Sequence, residues 1–216
     1  MNQTYKLATI LLVTLFTLVG CQTAYYNAME KIGYEKRDLL KNRVKDAKDS
    51  QEDAKEEFES AYDQFSELID FDGGNLEKTY RKLKSSYEDA KARADEVVEH
   101  RKEVEAVGRD MFKEWRREID LYSSESLKAQ SLDQLETTSR EFDRLIVVMK
   151  RAESKIKPVL DQFQDRVLFL KHNLNARAVT HMQQDNRNIQ QEISQLIRDM
   201  KASINEANTF IESMGK

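Results

Sequence analysis

Residues 76–119 read LEKTYRKLKSSYEDAKARADEVVEHRKEVEAVGRDMFKEWRREI, and this stretch decides the fold. Apolar or small residues recur through it at alternating steps of four and three: Leu76, Tyr80, Leu83, Tyr87, Ala90, Ala94, Val97, then Val104, Gly108, Met111, Trp115 and Ile119, with Arg101 in the same stripe. A step averaging about 3.5 residues keeps one stripe facing a partner helix over many turns, which marks a coiled-coil seam rather than a merely amphipathic helix.

The same period extends to both sides. Upstream it runs Ala47, Gln51, Ala54, Phe58, Ala61, Phe65, Leu68. Between the two stripes, Asp72-Gly73-Gly74-Asn75 offers glycines for a helix C-terminus and Asn75 as the next N-cap. Two helices of about 45 residues, roughly 70 Å long, are therefore expected to fold back on each other.

Downstream, Ser123-Ser124-Glu125-Ser126 through Gln130 breaks the pattern, and Ser131 with Gln134 three residues on has the form of a capping box opening the next helix. The seam then follows Leu135, Phe142, Ile146, Met149, Ile156, Leu160, Phe163, Val167, Leu170 and Leu174, and resumes at Ile189, Ile193, Leu196, Met200, Ile204, Ala207 and Ile211. Pro158 falls inside it, as a bend or as the first turn of a new helix. Residues 173–188 contain four asparagines and neither Gly nor Pro. A continuous helix or a short loop both fit there, so three or four long helices are allowed; an elongated antiparallel bundle of three, the last very long, is the leading expectation. Three would put the chain ends at opposite tips and four would put them together.

Composition agrees with an all-α class. The 216 residues hold 6 Gly and 1 Pro, and 34% are charged, enough charge for wet outer helix faces and too few breakers for many turns. Two runs, Leu145-Ile146-Val147-Val148-Met149 and Val167-Leu168-Phe169-Leu170, are apolar all round. They call for cover on every side, from within the bundle or from a second copy in a homo-oligomer.

The N-terminus carries a different message. Lys6, the apolar run Leu7 to Leu18, and Leu18-Val19-Gly20-Cys21 resemble a bacterial lipoprotein signal. The run is too short to span a bilayer, which takes roughly twenty residues. Residues 1–20 are thus expected to be removed, leaving 21–216 as a single helical domain. The lipobox resemblance implies that the Cys21 thiol receives a diacylglycerol and the new amine a fatty acid such as palmitate; several acyl chains anchor stably where one does not. Gln22 is not the Asp of an inner-membrane retention signal, so the periplasmic face of the outer membrane is favoured in a Gram-negative cell.

Catalytic constellations are not legible. His100, His172 and His181 form no i, i+4 pair, and the residues three before them are Val97, Phe169 and Ala178, so no Glu-x-x-His di-iron motif exists. No phosphate loop of the GxxxxGK[ST] form occurs, and Ser123, Ser124 and Ser126 have no nearby His or acid partner. Neither a cofactor, a metal nor an enzyme is expected. Loss of Lys6 with the signal takes the net charge from −4 to −5, and charges of both signs are interleaved, which argues against a nucleic-acid partner. The least generic stretch includes His172, Asn173, Asn175 and Arg177; it fixes helix register through buried polar contacts or meets a partner. Lys216 after Gly215 offers a terminal amine for attachment to peptidoglycan.

With the lipobox, the start Tyr25-Tyr26-Asn27-Ala28-Met29-Glu30-Lys31 and the stretch Val167-Leu168-Phe169-Leu170-Lys171-His172-Asn173-Leu174-Asn175-Ala176 in view, the chain resembles the bacterial family catalogued as domain of unknown function 2959. The resemblance implies an all-helical envelope lipoprotein and brings no active site. The expected role is a non-enzymatic scaffold or adaptor, a rod anchored in the outer membrane that meets an envelope protein or peptidoglycan. The alternatives are a module sensing or shaping the bilayer, which needs a basic face, and a cell-wall tether through Lys216.

Overall fold

The computed structural model describes residues 36–68, 75–173, 182 and 186–215. Among them are four helices: α1 over 36–68, α2 Leu76–Ile119, α3 Glu125–His172 and α4 Asn186–Ser213. Of the two helix counts the sequence allows, the described residues hold four. Residues 69–74 and 174–181, with the glycine turn and the weak seam, lie outside them, as do residues 1–35.

Ion pairs between helices fix the topology. From one end of α1 to the other, Lys36 pairs with Glu114, Arg43 with Glu103 at 3.2 Å, Asp53 with Arg93 at 3.7 Å and Glu67 with Lys82 at 3.9 Å. Numbers rising in one helix as they fall in the next mean an antiparallel pair. Lys150–Glu105 at 2.7 Å and Trp115–Ser131 at 3.0 Å set α2 against α3 in the same sense. Arg144–Glu206 at 3.7 Å and Arg151–Asp199 at 3.0 Å do so for α3 and α4. Lys201 reaches back to Glu59 on α1 at 4.0 Å. Each helix meets the next and α4 returns to α1, an up-down-up-down bundle. Its long axis is set by α2 and α3, of 44 and 48 residues, about 70 Å at 1.5 Å per residue.

Local chemistry explains the boundaries. Asn75 caps α2 as its sequence position predicts, accepting a hydrogen bond from the Lys78 N–H at 3.0 Å. The opening of α3 differs from the expected Ser131/Gln134 box. Its N-cap is Ser124, whose Oγ accepts from the Leu127 N–H, and Ser131 lies inside the helix, where it accepts the Trp115 indole N–H. Starting two turns earlier gives those residues helical hydrogen bonds and satisfies a half-buried indole. Pro158 sits within continuous α3 on its exposed side, where the carbonyl of Ser154 that it leaves unbonded faces water.

The seam residues fill the centre. The α1 stripe from Ala47 to Leu68 is buried throughout, as are Ala90, Ala94, Val97, Val104 and Met111 of α2 and Ile189, Ile193, Leu196 and Met200 of α4. The apolar core forms two clusters along the axis. One spans Ala54 to Leu68, Leu83 to Val97, Ala152 to Leu170 and Ile189 to Met200, and includes Phe65 edge-on to Phe163. The other joins Leu40, Val44 and Ala47 to Val104, Met111, Phe142 and Phe210, with Phe142 between Phe112 and Phe210 at 5.3 and 5.8 Å. Gly108 permits that stack, because a Cβ there would lie 2.2 Å from Cζ of Phe142.

The two all-apolar runs are not covered all round. Leu145, Ile146 and Met149 are buried but Val147 is 65% exposed; Val167 and Leu170 are buried while Leu168 and Phe169 are exposed. Seam periodicity puts only part of each run inside, and within this chain the remainder faces solvent.

Candidate functional site

Between the two clusters the core turns polar. Gln51 of α1, Arg101 of α2 and Ser203 of α4 are buried where their helices pass from one cluster to the other. Among the described residues neither amide atom of Gln51 nor the Ser203 hydroxyl has a hydrogen-bond partner. Arg101 is well paired: Nε and Nη2 donate to Glu153 of α3, and Nη1 donates to Glu105 at 2.7 Å. Lys150 completes the network by donating to the other oxygen of Glu105 at 2.7 Å. That hydrogen bond, with the charges of Lys150, Arg101 and Arg109, holds the Glu105 carboxyl below the usual carboxylate range. A fully paired network of this kind fastens α2 to α3, and its carboxylates are engaged rather than poised for proton transfer. No group of three His, Cys, Asp or Glu among the described residues is arranged to hold a metal ion.

Sequence periodicity already placed Gln51 and Arg101 in apolar stripes. Polar residues at seam positions were the signal for this layer, and Arg101, through its bonds to Glu153 of α3, fixes the register of α2 against α3 as a buried polar residue does in coiled coils. His172 and Asn173 do not contribute to it. His172 is exposed at the end of α3, and Asn173 caps that helix, its N–H bonded to the Leu170 carbonyl at 3.1 Å and its side-chain amide to the Phe169 carbonyl at 3.0 Å. With exposed Leu168 and Phe169 close by, these residues form a small aromatic and polar patch at one end of the rod. Asn175 and Arg177, in the same segment, lie outside the described residues, as do Cys21 and Lys216.

The opposite end is built differently. There α1 starts and α4 finishes: Lys36 is level with Glu114, and Gly215 lies beside Lys41. Past that level α2 and α3 continue as a hairpin tip. Leu121, Tyr122, Leu127 and Leu132 on the tip are each 43–53% exposed. Beside them Arg109, Lys113, Arg116 and Arg117 line a shallow groove on one face of α2, with Phe112 at its floor and Asp120 at its edge. Asp120 pairs with Lys128 at 3.4 Å. Among the described residues none of the four groove cations is within ion-pair distance of a carboxylate. Sequence reading missed this site, because its residues sit off the seam and read as ordinary surface.

An elongated, up-down-up-down helical bundle with a filled core is the class that fold and sites define. The chain belongs to the family described as protein of unknown function (DUF2959), whose profile matches residues 25–214. No curated protein and no solved structure matches it.

Proposed function

We propose that this protein is a lipid-anchored, non-enzymatic helical scaffold of the bacterial envelope, fixed through Cys21 to the periplasmic face of the outer membrane. The observation that carries this reading is Leu18-Val19-Gly20-Cys21 behind an apolar run too short to span a bilayer. The bundle supports it by what it offers: a filled core, a paired central network and two chemically distinct ends. Residues 22–35 separate Cys21 from α1. The described part of α1 begins at the end that carries the α2–α3 tip, so the chain from Cys21 enters the bundle there, and the reading puts the anchor at that end. The far end, with Phe169, His172 and Asn173, then projects into the periplasm and suits an envelope protein, since aromatic residues are enriched where proteins meet.

A wall attachment through Lys216 fits this geometry less well. Gly215 lies at the same end as the start of α1, so a bond there would hold the rod where the lipid already holds it.

The test is acyl labelling with membrane fractionation and mass spectrometry of the N-terminal peptide, comparing wild type with Cys21→Ser. Acylated Cys21 in the outer-membrane fraction, lost in the variant together with a partner crosslinked at the far end, is the expected result. Wild-type protein that stays soluble and unacylated would overturn the anchor.

A further inference from the structure

We propose that the α2–α3 tip is a bilayer-contact surface: Leu121, Tyr122, Leu127 and Leu132 enter the interfacial zone of an anionic leaflet while the Arg109, Lys113, Arg116 and Arg117 stripe binds its headgroups. The proposal rests on the anchored reading above for its setting, and on separate observations for its content.

The first observation is apolar exposure concentrated at a chain reversal. Of the eight large hydrophobic residues that stand exposed among the described residues, four lie within Leu121 to Leu132. The core does not need them, and a solvated turn between helices is ordinarily polar. Tyr122 and the half-buried Trp115, seven residues before it, are side chains that favour the membrane–water boundary, where one edge of the ring is apolar and the other wet.

The second observation is charge. The chain is acidic, at −4 overall, yet the face of α2 next to the tip carries four cations and one acid. Basic residues in a last helical turn offset the helix dipole, which accounts for Arg116 and Arg117. It does not account for Arg109 and Lys113, which lie beyond the dipole's one-turn reach and on the same face. Among the described residues single cations without an ion pair occur elsewhere on the bundle, and others are neutralised, Arg81 by Glu77, Lys91 by Asp95 and Lys157 by Asp161; here four such cations share one face. Unpaired cations beside exposed aliphatic groups complement an anionic, apolar-backed surface, as phosphatidylglycerol presents.

The third is position. The tip projects past Lys36, where the described part of α1 begins, so the chain from Cys21 enters the bundle at the tip end. A membrane holding the anchor is thus within reach of the tip, and the tip gives the rod a second foothold that fixes its angle.

The experiment uses the chain from residue 21 onward with Cys21→Ser, so that no acyl chain contributes. It is floated with phosphatidylethanolamine vesicles made with and without phosphatidylglycerol. Binding is expected to the anionic vesicles and to weaken with salt. Arg116→Gln with Arg117→Gln should lower it roughly fivefold per cation removed, and Leu121→Ser with Leu127→Ser should abolish it. All four positions are exposed, so helical circular dichroism should be unchanged, and Val147→Ser, exposed elsewhere on α3, should bind like wild type. No flotation of wild type, equal binding to both vesicle types, or binding indifferent to both tip variants would overturn the proposal. So would a dimer in sedimentation velocity that Leu121→Ser with Leu127→Ser dissolves, which would make a second copy the occupant. Acyl labelling of Cys21 is read independently: labelled protein whose unacylated form ignores vesicles keeps the anchor and loses the tip, and the reverse result keeps the tip alone.

Discussion

The two ends of the rod are made from the same helices and differ in how their surfaces are satisfied. Near the far end charges of both signs alternate: Arg81 pairs with Glu77, Lys82 with Glu67, and Asn173 closes its helix with its own side chain. At the tip, four cations of α2 form no ion pair among the described residues and stand beside a cluster of exposed leucines and a tyrosine. Exposed apolar area alone does not separate them, because Leu168 and Phe169 are also exposed near the far end. The clustering of four cations on one helix face does. A neutralised surface with an aromatic patch suits another protein, and an unneutralised basic one with aliphatic groups suits a leaflet.

The largest effect expected within this contrast is on the cores behind each end. Phe142 anchors the tip-side cluster and Phe163 the far-side cluster. Phe142→Ala and Phe163→Ala should each cost about 3–5 kcal/mol in denaturant unfolding. If the polar layer decouples the halves, hydrogen exchange will accelerate mainly in the half that carries the change; uniform acceleration would make the bundle one cooperative unit.

Next in size is the strap at the junction. Arg101→Met leaves Glu153 and Glu105 without their shared guanidinium, and the loss should be about 3 kcal/mol. A double-mutant cycle with Glu153→Gln should show strong coupling, whereas additive effects would reduce Arg101 to a packing role.

Gly108→Ala is a smaller and more pointed change. Alanine gains up to about 1 kcal/mol in helix propensity, yet its Cβ would overlap the Phe142 ring. Overpacking at about 1–3 kcal/mol should win, lowering the midpoint of thermal unfolding. A more stable variant would show that Phe142 can move aside without cost.

The smallest effect is a pH dependence near the tip. Burial, and then the neighbouring Glu114, raise the Glu118 carboxyl above the usual carboxylate range, with Lys36 opposing. The folded chain therefore holds that proton more tightly than the unfolded chain. The resulting penalty is absent in acid, grows as pH rises from the unfolded pKa through the folded one, and is complete above it. Glu118→Gln should stabilise modestly at neutral pH and lose that advantage below about pH 4. Urea midpoints at the two pH values check this, and an equal gain at both would mean that charge is not the cause.

Much of the bundle was legible because a seam is a one-dimensional pattern. The stripe from Ala47 to Leu68 and the Asn75 cap could be read from spacing and side-chain chemistry, and they stand where that reading puts them. What spacing could not decide was the choice between two good caps. Ser131 with Gln134 has the better local signature, but Ser124 caps the helix and Ser131 binds an indole sixteen residues away in sequence. Leu40, Val44 and Phe210 also join the core without belonging to the stripes read from the sequence, since a four-helix interior is wider than a two-helix seam. The tip was illegible for the opposite reason: its leucines follow no period, and their exposure together beside the α2 cations is visible only once the helices are in place.

Because α1 starts and α4 finishes at the tip end among the described residues, the chain passes from α1 to α2 and from α3 to α4 at the far end. Reach can therefore change without touching either terminus. One heptad inserted into each of the four helices keeps every seam position facing inward and moves the far end outward by about 10 Å. The length of the rod is thus set in discrete steps, and on the anchored reading proposed above the distance from leaflet to partner is a quantity written in the number of repeats.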